Sequence, residues 1–81
     1  MKGAAVADLE LILGSKQRLD YASSTINYYG IAAPGSLTSQ AVWQIRRETL
    51  DSLQRTIQID FAGGTIDQTQ IWDNRATLTY S

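Results

Sequence analysis

Apolar and polar residues alternate over several stretches of this chain, and that period of two predicts strands with one covered face. In residues 5–13, Ala5, Ala7, Leu9, Leu11 and Leu13 fall on one parity, with Val6, Asp8, Glu10 and Ile12 on the other, so a strand is expected. A helix is the competing reading, because Ala and Leu favour helices and Gly14 would serve as its stop. Gly14, Ser15 and Lys16 read as a turn, and residues 19–21 are too short a run to assign. Residues 25–32 hold Thr25, Ile26, Tyr28, Tyr29 and Ile31, side-chain types that pack well on a pleated surface. That strand stops at Ala33-Pro34-Gly35, where proline followed by glycine favours a type II turn.

The strongest pattern runs through residues 41–61. Trp43, Ile45, Arg47 and Thr49 share one face of a first run, with Val42, Gln44, Arg46, Glu48 and Leu50 on the other. Ile57, Ile59 and Phe61 alternate with Gln58 and Asp60 in a second run, and Asp51-Ser52-Leu53-Gln54 lies between as a loop. The two runs predict a β-hairpin whose core contribution is Trp43, Ile45, Ile57, Ile59 and Phe61. Gly63-Gly64 ends the second strand, and residues 65–75 lack a period of two, which fits a short helix or an irregular loop. Ala76, Thr77, Leu78, Thr79 and Tyr80 alternate again and predict a closing strand. The expected fold is therefore all-β: a single domain over residues 1–81, a small antiparallel β-sandwich or barrel-like unit with one short helix near residues 66–75.

Size and composition narrow the function. With 81 residues and 8.9 kDa there is room for one small domain and none for a separate catalytic lobe. Seven Lys and Arg against eight Asp and Glu give a net charge of −1 and a pI near 5.0, which does not attract nucleic acid or an anionic membrane. The chain has no His and no Cys, removing the usual imidazole base, thiolate nucleophile, zinc site and disulfide. A domain of this size buries only about 60% of its unfolded surface, and small domains recover stability through disulfides, metals or partner subunits. Self-association, or docking on a larger assembly, is the route this composition leaves open. Asp8 and Glu10 interrupt the apolar N-terminal stretch, so neither a signal peptide nor a membrane span is expected there.

The candidates for chemistry are weak. Asp67 and Asp73 with Asn74 supply oxygen ligands, but not at the dense spacing of a cation-binding loop, and turn residues bonded to their own backbone account for them. Asp8 and Glu10 share a strand face, and a solvated face explains them as well as a catalytic pair does. A serine nucleophile would have only Lys2 or Lys16 as a base. No catalytic residue, cofactor or metal is expected. The candidates for interaction are Tyr28, Tyr29, Trp43, Arg47, Trp72 and Arg75. Adjacent tyrosines on a strand face opposite ways, so one enters the core and the other stands outside. An exposed Tyr or Trp is a common interface anchor, although these aromatics could also fill one small core. Arg47 shares the parity of Trp43 and Ile45, so it either ends the buried face or crosses a subunit boundary; for Arg47 and Arg75, pairing with an acid on a neighbour stands against an ordinary surface or edge placement.

The stretch Tyr29-Gly30-Ile31-Ala32, then Pro34-Gly35 and Ser39-Gln40-Ala41-Val42-Trp43-Gln44-Ile45-Arg46-Arg47, resembles small proteins of tailed bacteriophages encoded with virion genes. So does Phe61-Ala62-Gly63-Gly64, followed by Ile71-Trp72-Asp73-Asn74-Arg75-Ala76-Thr77-Leu78-Thr79-Tyr80-Ser81. The resemblance covers roughly residues 21–81, with two Trp-containing motifs in the same order and a Gly-containing turn between them. It implies a virion setting and supplies no catalytic residues. The resulting expectation is a non-enzymatic structural protein that forms a homo-oligomer and attaches to other virion proteins at the capsid surface. A tail-associated attachment or fibre component, and a host-glycan-binding module using Tyr28, Tyr29 and Trp72 as stacking platforms, are the alternatives. Residues 1–20 are expected to be either a core strand or an arm that reaches a neighbour.

Overall fold

The computed structural model describes residues 14–81. The expected strand at residues 5–13, the Asp8 and Glu10 pair, and most of the N-terminal arm lie outside the described residues. The remainder of the chain is all-β, as expected. Its strands are β1 (Lys16–Asp20), β2 (Ile26–Ala32), β3 (Ala41–Leu50), β4 (Thr56–Phe61) and β5 (Gln70–Ile71), followed by a 3₁₀ turn at Trp72–Asn74.

The first four strands form an antiparallel meander in chain order. The register sets Tyr28 against Arg47 and Gly30 against Ile45 between β2 and β3, and Arg46 against Phe61 between β3 and β4. After β4 the chain makes an excursion through residues 62–69. It then returns as β5 to pair with Ala41 and Trp43, so β4 and β5 divide one edge of β3 between them.

Turn chemistry accounts for the connections. Gly35 at φ 84° and the bond from the Ser36 amide to the Ala33 carbonyl (3.1 Å) make the expected turn after Pro34. In the β3–β4 loop, Asp51 Oδ1 accepts from the amides of Leu53 (2.9 Å) and Arg55 (3.0 Å), and its Oδ2 accepts from Arg55 Nε (2.8 Å). These bonds hold the Asp51 carboxyl below its ordinary range, the Arg55 amide being the largest influence.

One face of the sheet carries the core, built from Ala32, Trp43, Ile45, Ala62 and Trp72, with Tyr28, Val42, Leu78 and Tyr80 packed against it. Its second layer is the 3₁₀ turn and the C-terminal segment. Trp43 and Trp72 lie 5.8 Å apart between ring centroids, and the Trp43 indole N–H donates to the Leu37 carbonyl (3.0 Å). Gly30 sits beneath both rings, and its missing side chain is what lets Trp72 settle on β2.

Three expectations are corrected. Ile57 and Ile59 are not core residues: they are 63% and 47% exposed, and Phe61 is only half-buried. The register explains why, since pairing Arg46 with Phe61 puts Ile59 and Phe61 on the face opposite Trp43 and Ile45. Residues 76–80 are not a strand, because the chain turns there and touches the sheet at one bridge, Ala62 to Tyr80. Lys16, expected in a turn, begins β1, whose mostly polar sequence carries little strand signal. The short helix expected near residues 66–75 is present as the 3₁₀ turn at Trp72–Asn74.

Candidate interaction surfaces

The six candidate residues divide between two sides of the sheet. Trp43 and Trp72 are 0% and 2% exposed, interior side chains of this chain with almost no surface for a partner to touch. Arg75 lies over the Trp72 ring at 4.7 Å, and its Nε donates to Asp20 at 2.9 Å. Tyr28 packs against Tyr80 with centroids 5.8 Å apart, Arg47 lies 4.8 Å above the Tyr80 ring, and Arg47 pairs with Asp60 at 3.3 Å. Two parallel stacks result: Trp43, Trp72, Arg75 and Asp20 in one, and Tyr28, Tyr80, Arg47 and Asp60 in the other. Both arginines, for which pairing across a subunit boundary is one of the readings, find an acid within their own chain.

Tyr80 joins the stacks. Its hydroxyl donates to the Arg75 carbonyl at 2.8 Å. Burial pushes its pKa up to about 12, aided by neighbouring Tyr28 and opposed by the positive charges of Arg47 and Arg75.

Tyr29 is on the other side, as the alternation of adjacent tyrosines requires. Its ring lies under Arg46 at 4.4 Å, and its hydroxyl donates to Gln17 Oε1 at 2.9 Å. The register aligns Leu19, Tyr29, Arg46 and Phe61 in one row across this outer face, with Ile59 beside Glu48 in the next row. Leu19 is 57% exposed. One end of the face is crossed by the excursion after β4, where Gln44 Nε2 donates to the Ile66 carbonyl (2.8 Å). The rest is a half-apolar surface with Leu19 at one edge and Ile59 at the other, while exposed Ile57 lies where the β3–β4 register shifts.

The side chains that sequence reasoning missed as interaction candidates are thus Leu19, Ile57 and Ile59. The signal for the two isoleucines was present, in the clean alternation of residues 56–61, but it marks a two-sided strand without saying which side is covered; Leu19, in mostly polar β1, had none.

Among the described residues, nothing in the arrangement assembles a reaction centre from Asp67 and Asp73. Asp67 and Asp73 are exposed, and Arg75 turns to Asp20 rather than to either. The Asp67 amide donates to Thr65 Oγ1 (3.0 Å) in a local turn. Among the described residues no three His, Cys, Asp or Glu side chains gather where they could hold a metal ion, and no helix is long and apolar enough to cross a membrane. Comparison with protein-family models, with curated proteins and with solved structures gave no match.

Proposed function

We propose that this chain is a non-enzymatic structural subunit of a tailed-phage virion, which associates with itself and attaches to the capsid surface. The observation that carries the assembly part of this reading is the outer sheet face. A chain with so small a core leaves Leu19 and Ile59 exposed on the side away from Trp43, with Ile57 exposed on the same strand as Ile59. Covering such residues with another protein surface adds the apolar burial that a small domain lacks. The virion setting is supported by the resemblance of residues 29–47 and 61–81 to small tailed-phage proteins.

The capsid surface is favoured over the tail on size, since a lattice of many copies turns weak contacts into firm attachment. The glycan alternative draws less from the geometry. Of its expected stacking platforms, Trp72 is buried, Tyr28 packs on Tyr80, and the Tyr29 ring is occupied by Arg46.

The test is light scattering of the purified protein alone, followed by mixing with phage particles that lack it. Saturable rebinding at a fixed number of copies per particle is expected, and that number distinguishes a capsid position from a tail position. Particles that take up none of the protein would overturn the proposal.

A further inference from the structure

The outer face of the sheet carries two opposite charges that the described residues leave without an ionic partner. Arg47, Arg55 and Arg75 pair with Asp60, Asp51 and Asp20 of the same chain. Arg46 pairs with no described acid: its guanidinium lies on the Tyr29 ring, and its Nε is buried without a hydrogen-bond partner. Glu48 stands two positions along β3, on the same face because alternate residues of a strand share a side. It forms no ion pair with a described residue either, Arg46 included. A half-buried arginine stacked on an aromatic ring, with exposed Leu19 and Ile59 to either side, has the composition of an interface centre.

We infer that this face packs against the same face of a second copy, with Arg46 of each chain pairing with the partner's Glu48. The inference rests on the assembly reading above and names the surface and the occupant. Cation and anion on one patch make it self-complementary, which is what a two-fold contact requires.

The register selects the direction of the two-fold axis. Leu19, Tyr29, Arg46 and Phe61 form one row across the sheet, and Asn27, Glu48 and Ile59 form the next. An axis between the two sheets, running across the strands between these rows, lays β3 antiparallel over its copy and exchanges the rows. Arg46 then faces the partner's Glu48, Glu48 faces the partner's Arg46, and Phe61 faces the partner's Ile59. Sheets stacked at about 10 Å with strands within about 30° of one another keep rows aligned in this way. An axis along the strands would set each row on itself, and the Arg46 row holds no carboxylate.

The excursion after β4 favours the same axis. It crosses the Gln44 end of the face, where Gln44 Nε2 donates to the Ile66 carbonyl (2.8 Å) and Gln68 Nε2 to the Ile31 carbonyl (3.4 Å). The crosswise axis brings that end over the partner's Leu50, so each excursion flanks the end of the other sheet. The lengthwise axis would stack the two excursions and hold the sheets apart.

Sedimentation of the unmodified chain over a range of concentrations is expected to show a dimer. Arg46→Glu and Glu48→Arg each oppose like charges at both contacts, and each should raise the dissociation constant roughly 100-fold with unchanged circular dichroism. Mixed in equal amounts, the two variants should recover the dimer, because each supplies the charge the other lacks. One chain carrying both substitutions should recover it as well, which separates a lost contact from a damaged fold. Gln58→Lys, on the opposite face, should leave association as it is.

A monomeric unmodified chain, a dimer indifferent to both charge reversals, or reversals that fail to rescue each other would overturn the pairing. A monomer that rebinds phage particles, and loses that binding on Arg46→Glu, would also overturn it: the face would belong to another virion protein, with the virion role intact. A dimer that shows the rescue but ignores particles would uphold the pairing and remove the virion role.

Discussion

Gly30 lies directly under the indole of Trp72: a Cβ at that position would stand 2.5 Å from Cε3 and 2.6 Å from Cζ3. The absence of a side chain on β2 is thus what seats the C-terminal layer, because those distances are shorter than carbon atoms tolerate. Gly30→Ala should cost about 1–3 kcal/mol, the usual range for forcing extra volume into a packed core. Urea unfolding followed by tryptophan fluorescence measures it. Adding Trp72→Phe to Gly30→Ala should recover part of the loss relative to the sum of the single changes. Strict additivity would mean that the two positions do not meet.

Asp20 and Arg75 are far apart in the chain and joined at 2.9 Å, with both side chains about 30% exposed, at 32% and 28%. Solvent weakens such a pair, so a double-mutant cycle of Asp20→Asn and Arg75→Gln should return a coupling of about 0.5–1 kcal/mol. Arg75→Lys keeps the charge but loses the flat guanidinium over Trp72. It should therefore cost nearly as much as Arg75→Gln in thermal melts. Full retention of stability in Arg75→Lys would show that charge alone matters.

Tyr80 sets an alkaline limit. Its folded pKa of about 12 lies above the ordinary tyrosine value of 10.0, so the folded state holds this proton where the unfolded chain has released it. The stabilisation is complete below the unfolded pKa, and it is lost as pH rises through the folded one. Melting temperature should accordingly fall between about pH 10 and 12, and Tyr80→Phe should flatten that fall. At neutral pH the same variant should be less stable by about 1 kcal/mol, having lost the bond to the Arg75 carbonyl. An unchanged alkaline profile in Tyr80→Phe would assign the loss to another group.

Gln54 is the one described non-glycine residue with positive φ, at 65°. A left-handed backbone costs an ordinary side chain roughly 1 kcal/mol, and glycine avoids that cost while being more flexible when unfolded. Gln54→Gly should raise stability by up to about 1 kcal/mol, because the Asp51 bonds that shape the loop do not involve the Gln54 side chain. Chemical denaturation of the two proteins checks the sign.

Much of the sheet was legible in the sequence, and the reasons for the misses are particular. The β3–β4 hairpin and β2 announce themselves through alternation, β-branched residues and the Pro34-Gly35 turn. Alternation conveys period without phase, however, so the faces of β4 were inverted: Trp43 and Ile45 draw the C-terminal layer to their side, and the register sends Ile59 to the other. Residues 76–80 alternate like a strand, yet Thr77 bonds back to Asn74 through its amide (2.9 Å) and Tyr80 reaches Arg75, so local turns win over pairing. Among the interaction candidates, opposite placement of Tyr28 and Tyr29 followed from strand geometry alone. The burial of Trp72 did not, because it depends on Gly30, distant in sequence and without a side chain to signal contact.

Because β4 and β5 share one edge of β3, local opening of the sheet is partitioned. Peeling β4 away bares the Arg46–Leu50 half of that edge while β5 still holds Ala41 and Trp43; fraying β5 does the reverse. Neither event touches the amides of Gln44 and Arg46, which point at β2 on the opposite edge. Those hydrogens should exchange with solvent only when the whole sheet comes apart, making the middle of β3 the slowest clock in the molecule.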